Sequence, residues 1–234
     1  MAAGGAGIAS QILSMTRLPG GFMAKGIVVI DPGHGGSLEV GGSSKNNATS
    51  PSGVLEKNMT LRFAFLVCDA LQEAASIGGH DVKIFLTRDA DSNLGLSARA
   101  AVGKSKKADV FLSIHFNGFN GTTRGTETLI SPKAINSNYA ADKAFAQRVQ
   151  KATFNAVKAH DADAKDRKVK DQKLGVLNEA SLGTKARACL VEVEFIDVPA
   201  VDTLLNIGPD SPQVRTDICK AIAGAVLDDL VANE

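Results

Sequence analysis

The stretch Gly26-Ile27-Val28-Val29-Ile30-Asp31-Pro32-Gly33-His34-Gly35-Gly36 sets a short β-branched run directly against proline and three glycines. The run has the composition of a buried strand, and neither Pro32 nor the glycines continue a ladder, so a strand feeds a tight loop here. The loop extends to about Ser52 through Gly, Ser, Asn and Thr, and long loops in compact domains are usually functional. From Asn58 the period changes. Leu61, Phe65, Cys68, Leu71 and Ala75 recur three and four apart, which predicts a helical face and places Glu56 at the mouth of that helix.

Outward from this unit the pattern repeats. Val82–Leu86 reads as a second strand, Ser97 as the cap of a helix to about Lys106, Val110–Phe116 as a third strand ending near His115, and Gly125–Ile130 as a fourth. Tyr139 to about His160 reads as a long helix with Phe145, Val149, Ala152 and Ala156 on one side. The charged run Asp161–Lys173 reads as solvated surface, Leu174–Leu177 as a short strand, and Ala188–Phe195 as a stronger one. Ser211-Pro212 opens a closing helix marked by Val214, Ile218, Ile222, Ala225 and Leu230. Strands alternating with helices predict an α/β domain with a largely parallel sheet.

The 234 residues favour one domain, read as 23–234 behind a glycine-containing tail at 1–22. With 44% hydrophobic and 22% charged residues the chain can build a sizeable core. Lys plus Arg (26) nearly cancels Asp plus Glu (25), so no basic field holds a polyanion, and nucleic acid is excluded as the expected partner. No run approaches the roughly 18 apolar residues of a membrane span. Ile8–Met15 is apolar but lacks a preceding basic region, so no clear secretory signal is read, and synthesis in the cytoplasm is expected. Cys68, Cys189 and Cys219 are an odd count in apolar stretches and read as buried free thiols.

Active sites of open α/β sheets gather outside the carboxyl ends of the strands. His34, Glu56 and His115 are placed there independently, and two imidazoles with one carboxylate leave a fourth position for water on a catalytic zinc ion. Such a metal activates water and polarises a carbonyl, the two needs of amide hydrolysis. A carboxylate must still move the proton. Glu192 is the candidate, in Leu190-Val191-Glu192-Val193-Glu194-Phe195, where alternation puts Glu194 on the same side and both acids emerge at the site or its rim. Alternation does not choose between them. Taken singly, each histidine also reads as a hydrogen-bonded structural group, and Glu56 as a favourable charge at a helix start. His80 and His160 read as surface residues.

The ordered blocks Val29-Ile30-Asp31-Pro32-Gly33-His34-Gly35-Gly36, Glu56-Lys57, Leu86-Thr87-Arg88, Ser113-Ile114-His115-Phe116-Asn117 and Leu190-Val191-Glu192 with Phe195-Ile196-Asp197 resemble the zinc N-acetylmuramoyl-L-alanine amidases of the amidase type 3 family, from about Ile27 to the C-terminus. The resemblance implies a mixed sheet of about six strands flanked by helices. It makes His34, Glu56 and His115 the ligands of one zinc ion and Glu192 the catalytic carboxylate, which chooses it over Glu194. It implies peptidoglycan as substrate, cut between the lactyl group of N-acetylmuramic acid and the L-alanine of the stem. Arg88 and Arg99 match recurrent arginines with structural or rim roles, and Asn117 matches a supporting position.

Relatives that act in division carry an inhibitory insertion, for which Ser131–Lys143 is too short, so a monomer that needs no activator is expected. Glu194 stands where relatives have a small or uncharged residue, and an extra acid there is expected to influence the pH optimum. A lone domain without a secretory signal suits a phage endolysin that reaches the wall after release, or an exported bacterial toxin. Two rival functions share these features: a wall-binding module without catalysis, and another zinc peptidase or deacetylase.

Overall fold

A computed structural model describes residues 23–234; the tail read for residues 1–22 lies outside the described residues. In chain order the elements are β1 (Lys25–Pro32), α1 (Glu56–Gly78), β2 (Asp81–Leu86), α2 (Leu96–Lys106), β3 (Val110–Asn117), β4 (Thr126–Ile130), α3 (Tyr139–His160), β5 (Asp166–Asp171), α4 (Glu179–Leu182), β6 (Arg187–Phe195), α5 (Pro199–Asp202) and α6 (Ser211–Val231). The six strands form one sheet in the order β2-β1-β3-β6-β4-β5. Every pairing is parallel except β4 with β6. β4 and β5 therefore begin at the end of the sheet where β1, β3 and β6 finish.

Side chains of the central strands alternate between two cores. Val28, Ile30, Val110, Leu112, Ile114, Cys189 and Val191 join α1, α3 and α6 in the larger core. Val29, Phe111, Ala188 and Leu190 join α2, α4 and the short turn before α4 in the smaller one. Burial on both faces explains why these strands read as continuous apolar runs. Each fully buried large apolar side chain, such as Phe63, Phe111 or Phe145, contributes about 1.5–3 kcal/mol by leaving water. Among the described residues no helix is long and apolar enough to cross a membrane.

The structure corrects several local expectations. α1 turns Met59, Phe63, Val67, Leu71 and Ala75 inward, whereas Phe65 is 42% exposed and Leu61 and Cys68 are half-buried. Apolar residues four apart occur in two adjacent registers of this helix, and spacing alone does not separate them. Cys68 is thus not a core thiol, while Cys189 and Cys219 are buried. Gly175–Leu177 is a 3-10 turn rather than a strand, and Val176 and Leu177 are buried in the smaller core. The charged run contains β5, an edge strand; charge on an edge blocks pairing with another chain, so its composition disguises it. Helix α2 starts two residues and α6 one residue earlier than read, after Gly95 and Asp210, and Ser211 Oγ donates to Asn206 O instead of capping.

Candidate metal centre and active site

His34 lies just past the end of β1, Glu56 is the first residue of α1, and His115 is near the end of β3. Their ligand atoms lie within 4.8 Å of one another, so the three groups can hold a metal ion. Glu56 Oε1 is 3.1 Å from His34 Nε2 and 3.2 Å from His115 Nδ1, with the two rings edge to face at 4.8 Å between centroids.

The loop that carries His34 is held by two buried arginines. Arg99 donates from Nη1 to Asp31 Oδ1 at 2.9 Å and to Pro32 O at 2.7 Å, and from Nη2 to His34 O at 2.6 Å. Arg88 donates from Nε to Pro32 O at 3.0 Å and from Nη2 to Gly33 O and Lys57 O at 2.9 and 2.8 Å, tying the loop to the start of α1. Both arginines are structural and neither lies at the rim: Arg88 is 4% exposed and Arg99 1%. Asp31, also buried, accepts Thr87 Oγ1 and Ser113 Oγ as well. Burial pushes its carboxyl up, but the Arg99 charge and these hydrogen bonds outweigh that and hold it below 3.8. This scaffold maintains His34 at φ 60, a conformation that few residues other than glycine adopt.

Each donor is oriented from behind. His34 Nδ1 is 3.1 Å from the carbonyl and 2.8 Å from the hydroxyl of Ser44; with its proton given to the carbonyl, Nε2 presents a lone pair. Nε2 is buried and, despite its closeness to Glu56, is not aligned for a hydrogen bond with any group. Glu56 accepts Phe116 N–H on Oε1 and Ala48 N–H on Oε2. Burial raises its carboxyl, yet the imidazoles of His115 and His34 beside it more than offset this and leave it at about 2. The His115 ring packs against Gly33, where an added Cβ would lie 2.3 Å from ring atoms. An ionised carboxylate between two imidazoles, one with an orphaned buried nitrogen, fits a divalent cation and matches the two-histidine, one-carboxylate set used for zinc.

Glu192 sits opposite His115 in the β3–β6 ladder. The residue is half-buried overall, but its Oε2 is closed off from solvent and has no hydrogen-bond partner. Burial first, then the charges of Glu56 and Glu127, push its carboxyl well above 4.5. Glu194, expected at the site or rim, is fully buried instead. The ladder between β3 and β6 slips after His115, and Glu194 accepts Gly125 N–H at 2.5 Å and Phe195 N–H at 2.9 Å and pairs with Arg124. Asn117 reaches neither histidine; it donates to Glu127 Oε1 at 3.0 Å. His160 pairs with Asp217, and His80 Nδ1 accepts Ala24 N–H, both away from these groups. The sequence reading passes over Ser44, which no pattern marks, and Glu127, an acid in an otherwise buried strand.

The family model described as N-acetylmuramoyl-L-alanine amidase, of the type 3 amidases, matches residues 28–226. The chain belongs to this amidase family. An uncharacterised cell wall amidase from Bacillus anthracis is 31% identical over 92% of the chain and 38% of its own length. The endolysin of Bacillus phage SPP1 is 30% identical over 73% of the chain and 55% of its own. An N-acetylmuramoyl-L-alanine amidase structure from Clostridium difficile 630 superimposes with a TM-score of 0.70 at 25% identity, covering 88% of this chain and 96% of that one. The chain thus spans about two fifths to just over half the length of those two curated relatives. All four expected site residues, His34, Glu56, His115 and Glu192, fall within the span matched by the amidase family model.

Proposed function

We propose that this protein is a zinc-dependent amidase that hydrolyses the bond between N-acetylmuramic acid and L-alanine in peptidoglycan. The observation that carries the reading is the convergence of His34, Glu56 and His115 beside Glu192, a carboxylate with one buried and unpartnered oxygen, in a chain of the amidase family. His34 Nε2, a Glu56 oxygen and a His115 ring nitrogen would hold one zinc ion. Zinc, when bound, supplies Lewis acidity towards water and the scissile carbonyl. Glu192 takes the proton of the attacking water and returns it to the leaving alanine nitrogen. Its raised affinity for a proton in the protein suits both halves of that task. A proton on His34 Nδ1, given to the Ser44 carbonyl, would leave Nε2 bare for the metal, and Phe116 and Ala48 N–H groups fix Glu56.

The protein acts on the wall, as an endolysin does, and works as a monomer without an activator. In support, Ser131–Asn138 is only a short turn that leads directly into α3. Purified protein incubated with wall sacculi is expected to release peptides with free N-terminal alanine, to stop on chelation and to resume with zinc. Release of terminal amino acids or acetate would transfer the protein to the peptidases or deacetylases. Glu192→Gln is expected to retain zinc and lose at least ~10²-fold in kcat. A requirement for a second protein would overturn the activator-free reading.

A further inference from the structure

Because β4 runs antiparallel to β6, it starts beside Glu192, and β5, parallel to β4, starts one strand further out at the same end of the sheet. Glu127, the second residue of β4, is the cross-strand partner of Glu192 and is 8% exposed. Its Oε1 accepts Asn117 Nδ2, and its Oε2 accepts Arg167 Nε at 2.8 Å and Lys170 Nζ. In a regular strand residues three apart point to opposite faces, so Arg167 and Lys170 of β5 would not share one carboxylate. The ladder slips at this point: Thr126 stands opposite Asp166 but Thr128 stands opposite Val169, and Lys168 takes the left-handed conformation at φ 69. The extra residue of this bulge brings both cations to the same side.

Arg167 is held more firmly than a surface arginine. Its guanidinium lies over the Phe195 ring at 5.1 Å, and its Cγ and Cδ run 2.8 and 2.9 Å from where a Cβ on Gly125 would stand. Among the described residues its Nη1 and Nη2 have no hydrogen-bond partner, and its side chain is 33% exposed. A fixed planar fork with two free nitrogens is suited to a carboxylate.

We infer that Arg167, with Lys170 beside it, forms a subsite for a free carboxylate on the peptide side of the scissile amide. This inference rests on the amidase reading. In that substrate the lactyl carboxyl is consumed in the amide and the sugars are uncharged, so anionic groups near the bond belong to the peptide. The subsite selects among stem peptides by the charge of the residue that follows the alanine.

The test compares two muramoyl-peptides that differ only at that residue, one with a free α-carboxylate and one with its primary amide. The wild-type protein is expected to prefer the acid by roughly ten- to hundredfold in kcat/KM, mainly through KM. Arg167→Gln is expected to bring that ratio close to one, and Arg167→Lys to give an intermediate value. Lys173→Gln removes a charge from an exposed position outside the cluster and should keep the ratio. Thermal melts and zinc stoichiometry report folding; if Arg167→Gln does not fold, Lys170→Gln carries the test through a partial loss of preference. Equal wild-type rates on both probes, or a preference retained by the Arg167 variants, overturn the subsite alone. A wild-type protein that cleaves neither probe removes the amidase reading and the subsite with it.

Discussion

Gly33 shows how closely the site is fitted at the level of single atoms. Its φ is ordinary, so the need for glycine is steric: a Cβ would stand where the His115 ring lies. Gly33→Ala is expected to weaken zinc affinity at least tenfold by displacing that ring, with circular dichroism unchanged; wild-type affinity by calorimetry would show that the ring can move aside. Glu192 illustrates the opposite tension between stability and use. Its unpartnered oxygen faces the charges of Glu56 and Glu127, and its raised pKa means that folding loses stability as pH rises above about 4.5. In chelator, Glu192→Gln should therefore be more stable than the wild-type protein by about 1–2 kcal/mol at pH 7, with the gap closing near pH 4. Equal urea midpoints at neutral pH would contradict this. The histidines and Glu56 were legible because each stands at a break between a strand or loop and the next element. Glu127 was not, although the cost of burying an acid in a strand applied to it as much as to Glu192.

At the scale of elements, Arg99 belongs to α2 but its bonds end on β1 and the loop behind it. Replacing it with methionine keeps much of the volume while leaving Asp31 buried without its cation. A loss of about 3–5 kcal/mol is expected in chemical denaturation, together with weaker zinc binding, because the His34 carbonyl loses its donor. A loss below 1 kcal/mol would mean that Thr87 and Ser113 suffice for Asp31. The same scale explains where sequence pattern succeeded and failed. β1, β3 and β6 are buried on both faces and read clearly; β5 is an edge strand whose charges read as open surface. The face through Leu61 and Phe65 reads as inward because Phe65 has Leu61 four residues back just as Phe63 has Met59; four residues on, Phe63 meets Val67 but Phe65 meets Asp69. The packing of α1 against the sheet and α6 turns the Met59, Phe63 and Val67 register inward.

For the molecule as a whole, the Asp31–Arg99 pair joins the core of the sheet to the loop that builds the metal centre, so acid should undo both together. The Asp31 carboxyl is held below its ordinary 3.8, which means that the unfolded chain takes up its proton first as pH falls. The stability it provides is complete above about pH 4, where it is ionised in both states, and drains away as pH drops through the lower folded value. Asp31→Asn should lower stability by about 3–5 kcal/mol at pH 7, since Arg99 is left buried without its partner charge. The variant should also have a flatter acid limb, so that its melting temperature converges on that of the wild-type protein towards pH 2. Zinc would make the wild-type limb steeper still, because His34 and His115 must be unprotonated to bind it. Melting curves from pH 2 to 7, with zinc and with chelator, separate the two contributions: the Asp31 difference persists in chelator, whereas the histidine part disappears. Parallel wild-type and Asp31→Asn curves across that range would show that the pair does not govern acid unfolding.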